Sequence, residues 1–361
     1  MRNRATSSTL FSLLGIIVRI AQRLGLHRDG SQLNLAPIVA EERRRVWWQI
    51  QHMEISTSQL LGTISMTLYA SWDVHLPANL DDSDINATMT SLPPSRTGLT
   101  SMSHCMWRYY ILYLHRSARE SGPSQSTWIT TSPAAPIDQK AALFEKYRSA
   151  LADKFLQYCE LLNPFHVLIQ ISIQIFLLAM QRVGHQPSIT GTRISDMTQE
   201  NRDELLKVCV KAMEYYLLGE TTSSLTHFRW HHENYMAWTA LVYILIEAYH
   251  RAATSEAEGL WRIVDRVCEV HPKLTTARHW PEVQAVARLV VQPWRRREER
   301  AVNGAGDFGE PSCVGVMKRM LNEKSSYADQ GGEQVATEEM VELGEFDFDL
   351  IDWSAWEGGG M

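Results

Sequence analysis

The sequence contains no Cys-x-x-Cys pair. Its five cysteines, Cys105, Cys159, Cys209, Cys268 and Cys313, are odd in number and widely spaced. They therefore outline neither a disulfide framework nor a zinc site, and they suit a reducing compartment. A Walker loop, a G-x-S-x-G elbow and an H-E-x-x-H motif are also missing, so no local pattern marks a nucleophile, a phosphate cradle or a metalloprotease centre. Sustained strand alternation between turn signals is absent, which disfavours a sheet protein. The chain also lacks a positive surplus. Its 35 basic and 41 acidic groups give −6, and residues 325–361 hold ten acidic side chains with no Lys or Arg. The remaining 324 residues stand at +4, too near neutral for broad binding through phosphate neutralisation.

Three partial matches fail on context. Gly304, Gly306 and Gly309 have the spacing of a dinucleotide loop, but an arginine-rich helical stretch precedes them and Pro311 follows, where a strand and a helix start are needed. His52 and Glu54 repeat the H-x-E spacing of zinc deaminases without the cysteine pair that chemistry requires. His231, His232 and Glu233 are adjacent on a helical stretch, so their side chains diverge. The chain reads as non-enzymatic, with no cofactor of its own.

Forty-five per cent hydrophobic residues over 361 positions is enough for a large core. The apolar positions recur at three and four residues, the helical period, and predict an all-α fold. The run Leu10–Val18 reads as part of a soluble helix, since Arg19 and Arg23 follow at once and Leu13, Ile16 or Ile17, Ile20 and Leu24 keep helical spacing. The uncharged stretch Leu161–Gln181 carries Asn163, Pro164, His166, Gln170, Ser172, Gln174 and Gln181, and reads as a core helix rather than a membrane span. Pro37 opens a helix to about Gly62, whose inner face is expected to be Val46, Ile50, Met53, Thr57 and Leu60, widened by Trp47 or Trp48. Phe144, Tyr147, Leu151, Phe155, Tyr158 and Leu162 outline another helix. Further helices are expected near 99–119, 164–183, 201–218, 231–253, 257–270 and 281–300. Loops rich in Pro, Ser, Thr, Gly and Asp separate them near 77–96, 121–137 and 184–198. The expected organisation is a helical regulatory domain over residues 1–300, then a flexible linker and acidic aromatic tail over 301–361.

Two arginine clusters have two readings each. Arg43, Arg44 and Arg45 can meet phosphate or an acidic partner, but a helix whose tryptophans pack inward makes them its solvated face. Arg295, Arg296, Arg297 and Arg300 form either a nuclear-import patch or a basic helix end that complements the helix dipole.

The strings Arg19-Ile20-Ala21, Leu24–Gly30 (LGLHRDG) and Glu41–Ile50 (EERRRVWWQI) closely resemble the middle homology region of fungal zinc-cluster (Zn2Cys6) transcription factors. The resemblance continues through Gly62 and the pattern Asp73, Leu76, Pro77, Asn79, Asp82, Asp84. It extends more loosely through the stretches beginning at Asn163 and Phe228, with Trp261 beyond, and covers about residues 12–300. The likeness is greatest to regulators of secondary-metabolite gene clusters. It implies a helical regulatory region acting in the nucleus, whose DNA reading belongs to a separate N-terminal module with six cysteines and two zinc ions. That module is expected outside this chain, so no residue here is assigned to zinc or DNA. A second copy or a related factor is the implied pairing partner. The alternative is a helical scaffold that regulates by pairing with or titrating another factor.

The tail string EFDFDLIDWSAWE interleaves Phe346, Phe348, Leu350, Ile351, Trp353 and Trp356 with five carboxylates. Acidic and bulky apolar residues in alternation describe an activation segment that docks on a coactivator. In a helix, Phe346, Leu350 and Trp353 share one face.

Overall fold

The computed structural model describes residues 7–60, 71–120, 137–185, 197–232, 237–252, 254–276, 281–301 and 309–328. Among them there is helix and turn but no strand, as the periodicity predicts. They fall into two compact units that part between residues 191 and 192.

The first unit contains α1 (Ser7–Arg23), α2 (Pro37–Leu60), α3 (Ser103–Glu120), α4 (Ile137–Lys154) and α5 (Pro164–His185). α1 ends where Gly25 takes a φ of +69° and the Leu26 N–H returns to the Ala21 carbonyl at 2.9 Å, a left-handed cap that suits glycine. α1 packs on α2, α2 on α3, and α5 on both α3 and α4. Their shared core holds Val18, Ala21, Trp47, Trp48, Ile50, Trp107, Ile111, Tyr147, Leu151, Ile169 and Ile173. α5 is long and apolar enough to cross a membrane by length and composition, yet it buries Leu168, Ile169, Ile171, Ile173, Leu177 and Leu178 within this unit.

One expected face is corrected. On α2, Val46 and Met53 are exposed, whereas Trp47 and Trp48 are fully buried beside Ile50, Gln51, Glu54 and Thr57. Two tryptophans bury more apolar surface than a valine and a methionine, and they turn the helix accordingly. On α1, Leu14, Val18 and Ala21 are the residues turned inward, and the stripe Leu13, Ile16, Ile17, Ile20, Leu24 faces outward.

The second unit contains α6 (Gln199–Thr221), the single turn α7 (Arg229–His232), α8 (Trp238–His250), α9 (Glu256–Val270), the short α10 (Lys273–Thr276), α11 (Pro281–Ala301) and α12 (Ser312–Ala328). Thr198 caps α6 by accepting the Asn201 N–H at 3.3 Å. α8 is buried on every side from Thr239 to Ala248 and packs against α6, α9 and α11. Its one acid, Glu247, is fully buried and paired with Arg202 at 2.9 Å and Arg251 at 2.8 Å. α12 is a second correction, because ordered helix continues past residue 301. Cys313, Val314, Met317 and Met320 are buried where α12 meets α9 and α11. Those four apolar residues among polar neighbours were too short a pattern to stand out from the linker composition.

Candidate functional site

The three strings that stand out in the sequence meet in space. Asp29 lies at the centre, with no exposed side-chain surface. It caps the 3-10 turn Gly30–Leu33, its Oδ1 accepting from Ser31 N at 3.0 Å and Ser31 Oγ at 2.6 Å. From α2, Arg44 donates through Nε to Oδ2 at 2.8 Å and through Nη2 to Oδ1 at 2.7 Å, and the His75 N–H reaches Oδ2 at 2.9 Å. Burial alone would raise the Asp29 pKa, but the Arg44 fork and the Ser31 and His75 donors outweigh it and hold the carboxyl well below the usual range. The Asp29 N–H donates to Asp73 Oδ1 at 2.7 Å, and Arg28 Nε to Asp73 Oδ2 at 2.7 Å.

Glu41, one turn earlier on α2, is nearly as buried. Its carboxylate accepts the Ala78 N–H at 3.1 Å and Arg45 Nε at 3.0 Å, while Arg45 Nη1 reaches Asp82 Oδ1 at 2.8 Å. Burial is the largest influence on Glu41 and keeps its pKa raised despite these donors. Trp48 Nε1 donates to the His75 carbonyl at 2.8 Å, so the same helix holds the 71–84 loop by charge and by indole. Further along, Asn79 Nδ2 donates to the carbonyls of Arg96 and Gly98, both at 2.8 Å, and Thr100 Oγ1 donates to Asn79 Oδ1 at 2.7 Å. Arg96 pairs with Asp81 at 3.0 Å and also with Asp84, and the Ser101 N–H donates to Asp81 Oδ1 at 2.7 Å. Trp72 closes the assembly, its ring edge-on to Trp48 at 5.3 Å and its face 3.7 Å beneath the Arg116 guanidinium.

This arrangement is a polar clamp that fastens the 71–101 segment to α2. Arg44 and Arg45 are partly buried and committed to carboxylates, and Arg43 donates to the Leu24 carbonyl at 3.0 Å. They form neither a phosphate patch nor a freely solvated face. Asp29 accepts hydrogen bonds on both oxygens and its burial admits no substrate. No group of three or more His, Cys, Asp or Glu could hold a metal among the described residues.

The second arginine cluster does not form one surface. Arg295 is exposed, Arg296 lies 3.8 Å over the Tyr249 ring, and Arg297 is buried, donating to the Ala252 carbonyl at 3.0 Å. A four-arginine import patch needs solvent on all its members, and Arg297 spends its charge inside the second unit. The side chain of Arg300, and the whole segment with Phe346, Phe348, Leu350, Ile351, Trp353 and Trp356, lie outside the described residues.

Known proteins are similar to this chain in sequence. Residues 1–115 match the family described as fungal specific transcription factor domain. The matched span nearly coincides with the clamp, which runs from Leu24 to Arg116. Among curated relatives, the aurofusarin cluster transcription factor of Gibberella zeae is 27% identical over 346 residues, covering 92% of this chain and 50% of the relative. The pyriculol/pyriculariol biosynthesis cluster transcription factor 1 of Pyricularia oryzae is 26% identical over 314 residues, 83% of this chain and 40% of the relative. A Zn(2)-C6 fungal-type transcription factor of Macrophomina phaseolina is 44% identical over 85 residues, 23% of this chain and 12% of the relative. The chain thus spans half or less of the length of these relatives. No solved structure matches it.

Proposed function

We propose that this chain is the regulatory region of a fungal transcriptional regulator, an activator serving a secondary-metabolite gene cluster. The observation that carries the reading is alignment over 92% of the chain with a relative named as a cluster transcription factor, anchored by the family match over residues 1–115. Acting in the nucleus and without catalysis, it regulates through contacts. DNA is reached through a zinc module outside this sequence, and Phe346, Phe348, Leu350, Ile351, Trp353 and Trp356 meet a coactivator groove with the acids keeping them accessible.

A reporter assay tests this. The full chain, fused to an unrelated DNA-binding domain, activates transcription. Phe346→Ala with Trp353→Ala removes most of that activity, because apolar anchors carry the larger share of groove binding. Asp347→Asn with Asp349→Asn lowers it less. A silent fusion, or an aromatic double variant as active as its parent, overturns the activator reading.

A further inference from the structure

Two of the five cysteines meet in the second unit. Cys268 stands in the last turn of α9 and Cys313 in the first turn of α12, with α10 and α11 between them in the sequence. Both are free thiols, buried at 6% and 2% exposure. Asp265 fixes their approach. It lies one turn before Cys268 on the same face of α9, and its Oδ1 accepts the Cys313 N–H at 3.0 Å and the Ser312 hydroxyl at 2.9 Å. The first turn of α12 is thereby capped by a residue of α9, and the Cys313 thiol comes within hydrogen-bonding reach of the Cys268 thiol. Val314 and Met317, both fully buried, seat the rest of α12. Cys209 lies on α6, and Cys105 and Cys159 lie in the first unit.

We propose that Cys268 and Cys313 form an oxidation site, a dithiol that a hydroperoxide converts reversibly into a disulfide bolting α12 to α9. The two side chains already touch, so the bond needs little movement of either helix. At rest the pair is protected. The neighbouring thiol, burial and the Asp265 carboxylate all push the Cys313 pKa up, so its sulfur stays protonated at neutral pH and reacts slowly. Reaction begins where the first turn of α12 opens. The N–H groups of that turn have no partner within their own helix, and Gly309 and Glu310 before it are exposed. Hydrogen peroxide then attacks one thiolate: an S–O bond forms, the O–O bond breaks, and hydroxide leaves as water. On reclosure the second sulfur attacks the sulfenic sulfur, the S–S bond forms, the S–O bond breaks, and a second water leaves. The two thiols lose two electrons and two protons, and the peroxide takes them up. A small-molecule thiol reverses the bond by exchange. The closed loop contains α10 and α11, so the bond restricts the unfolded chain and stabilises the second unit. This site involves neither DNA nor the activation segment, so its test stands apart from the reporter assay.

Non-reducing peptide mapping of the full chain, before and after hydrogen peroxide, reads the proposal directly. The expected product is a Cys268–Cys313 linked peptide, lighter by two hydrogens than its reduced halves and abolished by dithiothreitol. The oxidised chain should melt roughly 5–10 °C above its reduced form, and dithiothreitol should return it to the reduced value. Cys105→Ser with Cys159→Ser keeps both the linked peptide and the shift, whereas Cys268→Ser and Cys313→Ser each lose both. Every variant is compared with its own reduced form, so a change in its basal stability does not enter. Absence of the linked peptide from the wild type, or its replacement by a bond from Cys313 to another cysteine, overturns the proposal. So does a linked chain whose melting temperature is unchanged, because the bond would not be fastening α12.

Discussion

Replacing Asp29 by Ala would leave the Arg44 guanidinium facing an empty, largely dry site and the Ser31 and His75 N–H groups without their acceptor. Breaking a buried pair from one side typically costs 3–5 kcal/mol (about), and urea unfolding of Asp29→Ala should show a loss of that order. Gly30→Ala should also destabilise, because a Cβ there would stand 2.7 Å from the Cα of Ala40 and something must shift. His115 makes the first unit sensitive to acid. Burial lowers its pKa to about 4, and its neutral ring bonds the Tyr147 hydroxyl at 2.7 Å. A depressed histidine pKa contributes stability that is complete above the unfolded value near 6.5 and is lost as pH falls from there towards 4. The loss reaches roughly 3 kcal/mol. Thermal melts of the wild type should fall across that window, and those of His115→Leu should fall less. The sequence made the charged strings conspicuous but not their pairing. Asp29 reads as a turn residue until the chain brings Arg44 and His75 to it, across 15 and 46 positions.

At the scale of elements, helix positions were legible because the 3.6-residue period survives in nearly every one, from α3 at Ser103 to α11 at Pro281. Faces were less legible. α2 carries apolar residues on more than one side, and the choice between Val46 with Met53 and Trp47 with Trp48 depends on what α3 and Trp72 offer as a surface. The same holds for α12, whose four buried residues gain meaning only against α9 and α11. Met317 is fully buried there, so Met317→Ala should cost about 2–4 kcal/mol. Urea unfolding of the second unit, followed through Trp261 fluorescence, measures this. A change within error would mean that α12 adds no packing to that unit.

For the whole molecule, the absence of a basic surplus and of a cysteine cluster has a direct consequence. The chain alone should show no sequence-selective duplex binding at physiological salt, because its formal charge is −6 and its sequence carries no base-reading motif. A nanomolar selective complex in a mobility-shift assay would contradict this. The resemblance and the fold class were accessible from sequence, since they rest on contiguous strings and on periodicity. The division near residue 191 was not, because the loop preceding Gln199 resembles the other interhelical loops in composition.

The clamp also bears on how the protein is made. All of its partners lie between Leu24 and Arg116, so every group it needs is synthesised before any residue of α4 or α5. A ribosome adding 5–20 residues per second needs roughly 3–10 seconds to go on from Arg116 to Ile169. During that interval the Asp29–Arg44 and Glu41–Arg45 pairs have time to close. Tyr147, Leu151 and Ile169, which complete the apolar side of the same core, have yet to emerge. The nascent chain thus has a polar latch available before α4 and α5 arrive, and the register of the 71–101 segment on α2 can be set together with the contacts of Trp47, Trp48 and Trp72.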